Sequence, residues 1–596
     1  MKARVQTCGP LILFASLLVT LAGPAISTAA ANPCDVPSGA RRLHVRDFNA
    51  VGDGKTDDGA AIREAIKSAL SGPQPVSIEF DAGKVYRITS FEDRYGFQIL
   101  NGQKITLLGN GAELSLLPPN KVLQIVNSSD INICGLTVDY SPLPFTQGMV
   151  VSTDAAAGTF DLQIESGFDI PPVDDNSTTD NSRVWKFAKP YRSKGQLEKR
   201  IQITAIHGVP GTERIRVKPE DRADVLRLVP NQHHLVMAMP RMGQVGTFAI
   251  RILNSARVLF QDIRVYSVPQ QAFYIGDNDG PVTFSKVEQR IRPGTSRVMT
   301  GWRGVFMAKD NRAPVHWDGC YVEGASDDAF NLSATYQLVV EKLDERRWRL
   351  RDLSARRESP VYKAGDRLQV IQVGAERKRL PDTKVVSVAQ DKNDLLVTLS
   401  SAIALKPEAD SCSTLGDTQQ SCGSRVVNLD AANEGSTIRN STIHGNMRIR
   451  SKAVVEKVHL DGFIRITSDP TRVGPLPDGI VFRDSTLTGG VIRLGTDGNR
   501  KRKAKRNQSW TAGDRWIQNI TFQNTRIGSK FRARGASFAL IDTDVTWRGG
   551  KKFQLENSGP VLIRNLSANG QKVPDPMKLL RLGGNMTEKD VVIEAR

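Results

Sequence analysis

One kind of phrase returns along the chain: a few β-prone apolar residues, a polar pair, then a second short apolar run. It reads Ile131-Asn-Ile-Cys-Gly-Leu-Thr-Val138, Val258-Leu-Phe-Gln-Asp-Ile-Arg-Val265 and Val315-His-Trp-Asp-Gly-Cys-Tyr-Val322. Later copies are Thr437-Ile-Arg-Asn-Ser-Thr-Ile443, Ile480-Val-Phe-Arg-Asp-Ser-Thr-Leu487, Ile520-Thr-Phe-Gln-Asn-Thr-Arg-Ile527 and Val561-Leu-Ile-Arg-Asn-Leu566. Each is strand, turn, strand, with Asn or Asp where the chain must bend. Copies that lie close together repeat at roughly 20 to 40 residues, the range of solenoid repeats. A unit this small cannot bury its apolar side alone, so neighbours stack about 4.8 Å apart and hydrogen-bond rung to rung. The core is then a column whose open end must be covered.

Asp57-Asp-Gly-Ala-Ala-Ile-Arg-Glu-Ala-Ile-Lys-Ser-Ala-Leu70 supplies an N-capped amphipathic helix for that end, immediately before a first strand run at Val76 to Phe80. Two long stretches break the repeat. Alternating segments Gly148 to Thr153, Thr159 to Ile164, Arg200 to Ile206 and Ile215 to Lys218 form one interruption. Tyr336 to Lys342, Trp348 to Leu353, Asp366 to Val373 and Asp394 to Leu399 form another, and each set reads as a small antiparallel β insertion. The expected division is therefore 45–140 for the cap and first coils, 141–244 for one inserted β subdomain and 245–335 for the central coils. A second inserted subdomain covers 336–425 and the C-terminal coils 426–596. The basic run Arg500-Lys-Arg-Lys-Ala-Lys-Arg506 has no apolar period and reads as a solvated loop.

Residues 1–31 open with Lys2 and Arg4, continue through the apolar run Leu11 to Leu21, and end in the small residues Ala29 to Ala31. That pattern is a secretory signal peptide, so the expected location is secreted or periplasmic, without stable membrane insertion. The formal net charge of +18 is spread along the chain and favours an anionic partner. Nucleic acid is a poor candidate, because no recognised binding module is present. Beyond the signal, Cys412 and Cys422 share a polar loop and suit a local disulfide, whereas Cys134 and Cys320 alternate with apolar residues and read as buried thiols. No Cys-x-x-Cys spacing occurs and the seven histidines are scattered, so no metal cluster is expected.

The phrase Asp47-Phe-Asn-Ala-Val-Gly-Asp-Gly-Lys-Thr-Asp-Asp-Gly-Ala-Ala-Ile62 resembles the opening motif of the pectate-lyase-like superfamily. The resemblance implies an all-β fold: a right-handed parallel β-helix, here with an N-terminal capping helix and two inserted small antiparallel β subdomains. Arg251-Ile-Leu-Asn-Ser255, Asn278-Asp-Gly280, Arg292-Pro-Gly294 and Glu323-Gly-Ala-Ser-Asp-Asp-Ala-Phe-Asn331 are similar to the β-helix α-1,3-galactosidases, as is Asp139-Tyr-Ser-Pro-Leu-Pro-Phe-Thr-Gln-Gly148. What this implies is an inverting glycoside hydrolase in which acidic residues on neighbouring rungs face one groove. Asp327 and Asp328 match the family's paired aspartates. Its further aspartate on the preceding rung has no counterpart in Gly301-Trp-Arg-Gly-Val-Phe306.

Glycoside hydrolysis needs a protonated carboxyl beside the leaving oxygen and a second carboxylate to hold water. Two adjacent aspartates share a groove only at a bend, which Gly324-Ala-Ser and Asn331 allow. Like-charge proximity would then raise one of the two pKa values. A third carboxylate could come from Asp277, Asp279, Asp310, Asp318 or Glu323, and Asp279, beside Asn278 and Gly280, ranks first. Trp302, Tyr336, Asn331 and Asn278 are the candidate substrate contacts. Arg303 permits other chemistry: in pectate-type lyases an arginine removes the proton α to a uronate carboxyl while carboxylates hold Ca²⁺. The hydrolase needs no cofactor, and Ca²⁺ enters only with a lyase or epimerase. A third reading is a β-helix that binds an anionic glycan without turnover.

Overall fold

The computed structural model describes residues 32 and 34–594, apart from 172–186, 243–247, 353–361, 373–375, 393, 406–422, 469–472, 497–508, 511–515 and 551. The signal-peptide segment, Cys412, Cys422 and Arg500 to Arg506 lie outside the described residues. The chain winds a parallel β-helix from three sheets. Sheet A has 14 strands, from Arg41–His44 to Val591–Glu594. Sheet B also has 14, from Asp53–Asp57 to Gln571–Lys572, and sheet C has 12 in succession among the described residues, from Tyr95–Leu100 to Leu580–Gly583, with Val473–Gly474 pairing antiparallel beside Asp328–Thr335. Each coil passes C, A, B, and parallel strands joined through the other two sheets wind with the right-handed sense that strand twist imposes.

The recurring phrase is the A-to-B corner. In all seven copies the bend residue has a left-handed backbone, with φ of 66° at Gly135, 53° at Asp262 and 65° at Gly319. Asn440, Asp484, Asn524 and Asn565 follow with φ between 45° and 52°. This is the conformation that Gly, Asn and Asp tolerate best. Alternation on either side sends apolar residues inward, where Phe260, Phe284 and Trp317 of sheet A stack in register at 5.4 and 5.9 Å. Phe273, Phe306 and Phe330 of sheet C follow one another at 5.1 and 5.0 Å and meet the sheet A rings edge-on.

Two strands precede the cap, contrary to the expectation that Val76 begins the sheet: Asp53–Asp57 opens sheet B, and Arg41–His44 pairs in parallel with Val76–Glu79. Arg41–His44 is short and half exposed, with too little apolar alternation to announce itself. The helix Gly59–Ser71 then lays Ile62, Ala65, Ile66 and Ala69 over the end of the column. Its N-cap is Asp58, whose carboxylate turns away to the Val51 and Gly52 N–H groups, and Asp57 Oδ1 accepts from Gly59 N at 3.1 Å. Cys134 is not a thiol. It is disulfide-bonded to Cys34 across 100 residues, a partner that alternation within its own strand cannot reveal. Cys320 is free and buried.

The chain leaves the solenoid twice, first between sheet B and the next strand of sheet C, then between the sheet C strand Asp328–Thr335 and the next strand of sheet A, Ser436–Arg439. The first excursion is a closed barrel of Phe145–Asp154, Thr159–Ile164, Phe187–Tyr191, Ile201–Gly208, Arg214–Pro219 and His234–Ala238. The second is an antiparallel sheet built on Gln337–Lys342, Arg347–Asp352, Arg367–Gln372, Thr383–Asp391, Asp394–Leu399 and Arg425–Asn428. The coils between the two excursions carry the candidate site.

Candidate functional site

Both tracts of interest are connections from sheet B to sheet C, stacked on one another through parallel bridges Val268 to Gly301 and Gly301 to Ala325. The lower connection must run close to the next coil. A Cβ at Gly304 would lie 2.1 Å from the Asp328 carbonyl oxygen, so position 304 can bear no side chain, a carboxylate included. The upper connection ends at Asp327, which is exposed, and Asp328, which is buried at the start of the sheet C strand Asp328–Thr335.

The two aspartates therefore stand in opposite environments. Asp327 Oδ1 accepts from the Asp328 backbone N–H at 3.0 Å. Asp328 Oδ2 accepts from Asn331 Nδ2 at 3.3 Å and faces Arg448 Nε at 3.1 Å. Its Oδ1 is buried without a hydrogen-bond partner. Burial above all, and then the charge of Asp327, push the Asp328 carboxyl up to about 6, while Arg448, Arg465 and Arg450 pull it back.

The barrel supplies a residue that the sequence did not flag. Lys189, on Phe187–Tyr191, reaches out of the first insertion and donates to Ser326 Oγ and Trp302 O, each at 2.5 Å. Its ammonium lies 3.8 Å from the centre of the Trp302 ring. Burial drives its pKa well below the usual lysine value; the charge of Asp327 opposes that shift, and those of Arg303 and Arg200 add to it. Lys189 thus ties the barrel to both connections at once. Nothing in Phe187-Ala-Lys-Pro-Tyr191 marks it, because an inward lysine and a solvent-facing one share the same alternation. Arg303 makes no ion pair among the described residues, and its backbone N–H donates to Gln270 O.

Several sequence candidates are withdrawn from an open groove. Trp302 is 4% exposed, stacked on Phe187 at 5.6 Å beneath Lys189, and so is packing between barrel and solenoid and not a sugar platform. Tyr336 is fully buried in the column. Asn278 is fully buried in an asparagine ladder: its Oδ1 accepts from Ser255 N at 2.9 Å, and its Nδ2 donates to Asn311 Oδ1, whose own Nδ2 donates to Asn433 Oδ1. Asp279 points to the second insertion, 3.0 Å from Lys363 Nζ and 3.7 Å from Arg312 Nε. Asp310 accepts from Thr335 N and Oγ1, Asp318 from Asn440, and Glu323 from Ile291 N and Tyr321. Asp277 has the left-handed φ of 56° at a corner. The structure brings together Asp327, Asp328, Asn331 and Arg303, adds Lys189, Ser326, Arg448 and Arg465, and takes Asp279, Asn278 and Tyr336 elsewhere.

Two of the phrases quoted for the family resemblance meet across more than 150 residues. Asp139 is buried and accepts from Arg292 at 2.7 Å and Arg297 at 3.0 Å, while Arg292 also donates to Glu113 at 2.8 Å. These groups line a cavity of about 450 Å³. The ion cluster holds the connection 290–305 in place, and with it Arg303.

Calcium does not fit here. The ion takes six to eight oxygens, whereas Asp328 Oδ2 already faces a guanidinium and, among the described residues, no three His, Cys, Asp or Glu side chains gather into a metal-binding group.

Residues 43–131 match a family model described as rhamnogalacturonase A/epimerase, pectate lyase-like. The first coils thus resemble that family. No curated protein matches the chain. Among solved structures, the mannuronan C-5 epimerase A-module of Azotobacter vinelandii aligns at 9% identity and TM-score 0.33, covering 93% of this chain and 100% of its own. An exopolygalacturonase from Thermotoga maritima aligns at 11% identity and TM-score 0.36, over 90% and 94% of the two chains. The catalytic domain of a GH87 α-1,3-glucanase aligns at 11% and 0.39, over 93% and 70%.

Proposed function

We propose that the protein is an exported carbohydrate-active enzyme, a glycoside hydrolase that cleaves a polysaccharide or glycan at Asp327 and Asp328. One observation carries the reading: two neighbouring carboxylates are held apart in character, one buried with its proton retained to about pH 6 and one open to water. Such a division assigns roles. Asp328 gives its proton to the glycosidic oxygen as that bond breaks; water attacks the anomeric carbon and loses its proton to Asp327. Asn331 and Arg448 orient the Asp328 carboxyl, and Lys189, through Ser326 and the Trp302 carbonyl, positions the loop that bears Asp327.

The test is release of reducing ends from a panel of neutral and acidic glycans, with Asp327→Asn and Asp328→Asn. Loss of product in both variants supports the reading, and unchanged turnover in both overturns it. A second reading is favoured by the cations around the pair. Guanidinium groups beside a uronate carboxylate would support proton abstraction next to it, as in a metal-independent lyase or epimerase. An unsaturated product absorbing in the ultraviolet, or an inverted C5 centre, selects that reading. Export is tested by the N-terminus of the protein recovered from outside the cytoplasm, which should begin after the first 31 residues.

A further inference from the structure

The outward face of sheet C carries one file of side chains in strict register. Asn331 is followed by Arg448, Arg465, Arg493 and Arg532 on four successive rungs, and then by Gln554. Each arginine alternates with inward neighbours: Met447 and Ile449, Ile464 and Ile466, Ile492 and Leu494, Phe531 and Ala533. With rungs about 4.8 Å apart, the four guanidinium groups span about 14 Å along the solenoid axis.

A surface β ladder ordinarily avoids this, because like charges directly opposite repel. The same coils show the ordinary solution on sheet A, where Asp318, Arg439, Glu456 and Arg483 follow one another in register. There Glu456 bridges Arg439 at 3.1 Å and Arg483 at 2.7 Å. On sheet C no acid interleaves. Arg448 meets Asp328, whereas Arg465, Arg493 and Arg532 make no ion pair with any described carboxylate, and Arg532 Nε is buried without a partner among the described residues. On the N-terminal side of Asn331 the file changes character to Met307 and then Tyr274, two uncharged rungs before Arg251.

We propose that this file is a binding track for a glycan bearing repeated anionic groups, carboxylate or sulfate, which interleave between the guanidinium groups. The track rests on reading Asp327 and Asp328 as the reacting pair, and it gives the substrate a direction. The charged stretch lies toward the C-terminal coils, and the portion beyond the reacting bond lies over Met307 and Tyr274, where no charge is required. One rung is close to the length of one sugar unit, so successive sugars can each present an anion to successive arginines through paired N–H donors.

The experiment measures binding of polygalacturonate, dextran sulfate and neutral dextran by the wild-type protein and by the double variant Arg493→Gln/Arg532→Gln. Arg439→Gln/Arg483→Gln on sheet A is the equal-charge control. The wild type should bind one or both anionic polymers in a salt-sensitive manner and neutral dextran not at all, and which polymer is held separates carboxylate from sulfate. The track variant should bind roughly 10- to 100-fold more weakly, the control unchanged. Equal weakening in both variants, or equal wild-type binding of neutral dextran, overturns the track. Polymer binding is read separately from turnover. Track-dependent binding with no Asp327-dependent product on any glycan would remove the hydrolase and leave the track, whereas turnover of neutral glycans alone would do the reverse. Should the double variant not fold, the wild-type comparison among the three polymers still decides.

Discussion

Asp328→Asn should change how stability depends on pH, and the sign follows from the structure. The folded pKa of about 6 lies above the ordinary 3.8, so the carboxyl favours the folded state while it holds its proton. That contribution is fully present below 3.8 and is lost as pH rises through 6. The difference between about 6 and 3.8 corresponds to about 3 kcal/mol. Asparagine cannot ionise. From roughly pH 3 to pH 8 the variant should therefore gain about 3 kcal/mol relative to the wild type, whatever constant difference the lost Arg448 contact adds. Urea titrations at a series of pH values, followed by the fluorescence of buried tryptophans such as Trp317, measure this. Subtracting one pH curve from the other removes the titrating groups that do not interact with Asp328. Parallel curves would refute the claim that Asp328 is the buried, proton-retaining member of the pair, and with it the assignment of Asp328 as acid.

Other changes test the frame around the site. Asn311→Ala removes the middle of the asparagine ladder, taking a side-chain partner from the Asn278 backbone N–H and the Ile275 carbonyl, and should cost about 1–3 kcal/mol for each group left unsatisfied, read from the urea midpoint. Lys189→Met keeps the stem and removes two buried hydrogen bonds; a loss of about 1–3 kcal/mol is expected, with faster proteolysis of the connection 323–327 and a lower kcat at similar KM. Cys34→Ser opens a loop of 100 residues and should lower stability by about 4–5 kcal/mol in the chain-entropy account, whereas Cys320→Ser should respond to reductant no differently from the wild type.

The winding was legible because its rule is local. Each A-to-B corner needs a left-handed residue flanked by β-prone apolar runs, and the sequence places Gly, Asp or Asn there in all seven phrases. What stacks on what was harder. Asn278 and Asp279 stand side by side in a polar turn, and only the three-dimensional corner shows that one is buried in a ladder while the other faces Lys363. Lys189 belongs to the site only because a barrel folds back onto the solenoid, which its alternation cannot say. The arginine file did leave a trace in Met447-Arg-Ile449, Ile464-Arg-Ile466, Ile492-Arg-Leu494 and Phe531-Arg-Ala533. It becomes readable once these triplets are aligned as rungs and not scanned as a linear string.

The two excursions also set the order in which the spring can be wound. Phe260 lies directly on Ile133, and Ile438 on Trp317, so at each point a coil must find its predecessor across more than a hundred intervening residues. Elsewhere each turn templates the next. At these two joints the growing edge must wait while a separate β unit collapses, because closing so long a loop gains nothing until the next rung docks. The coils that carry the acidic pair are the stretch enclosed by both pauses. Mutations that slow either insertion should therefore deplete the finished groove before they disturb the chain's two ends.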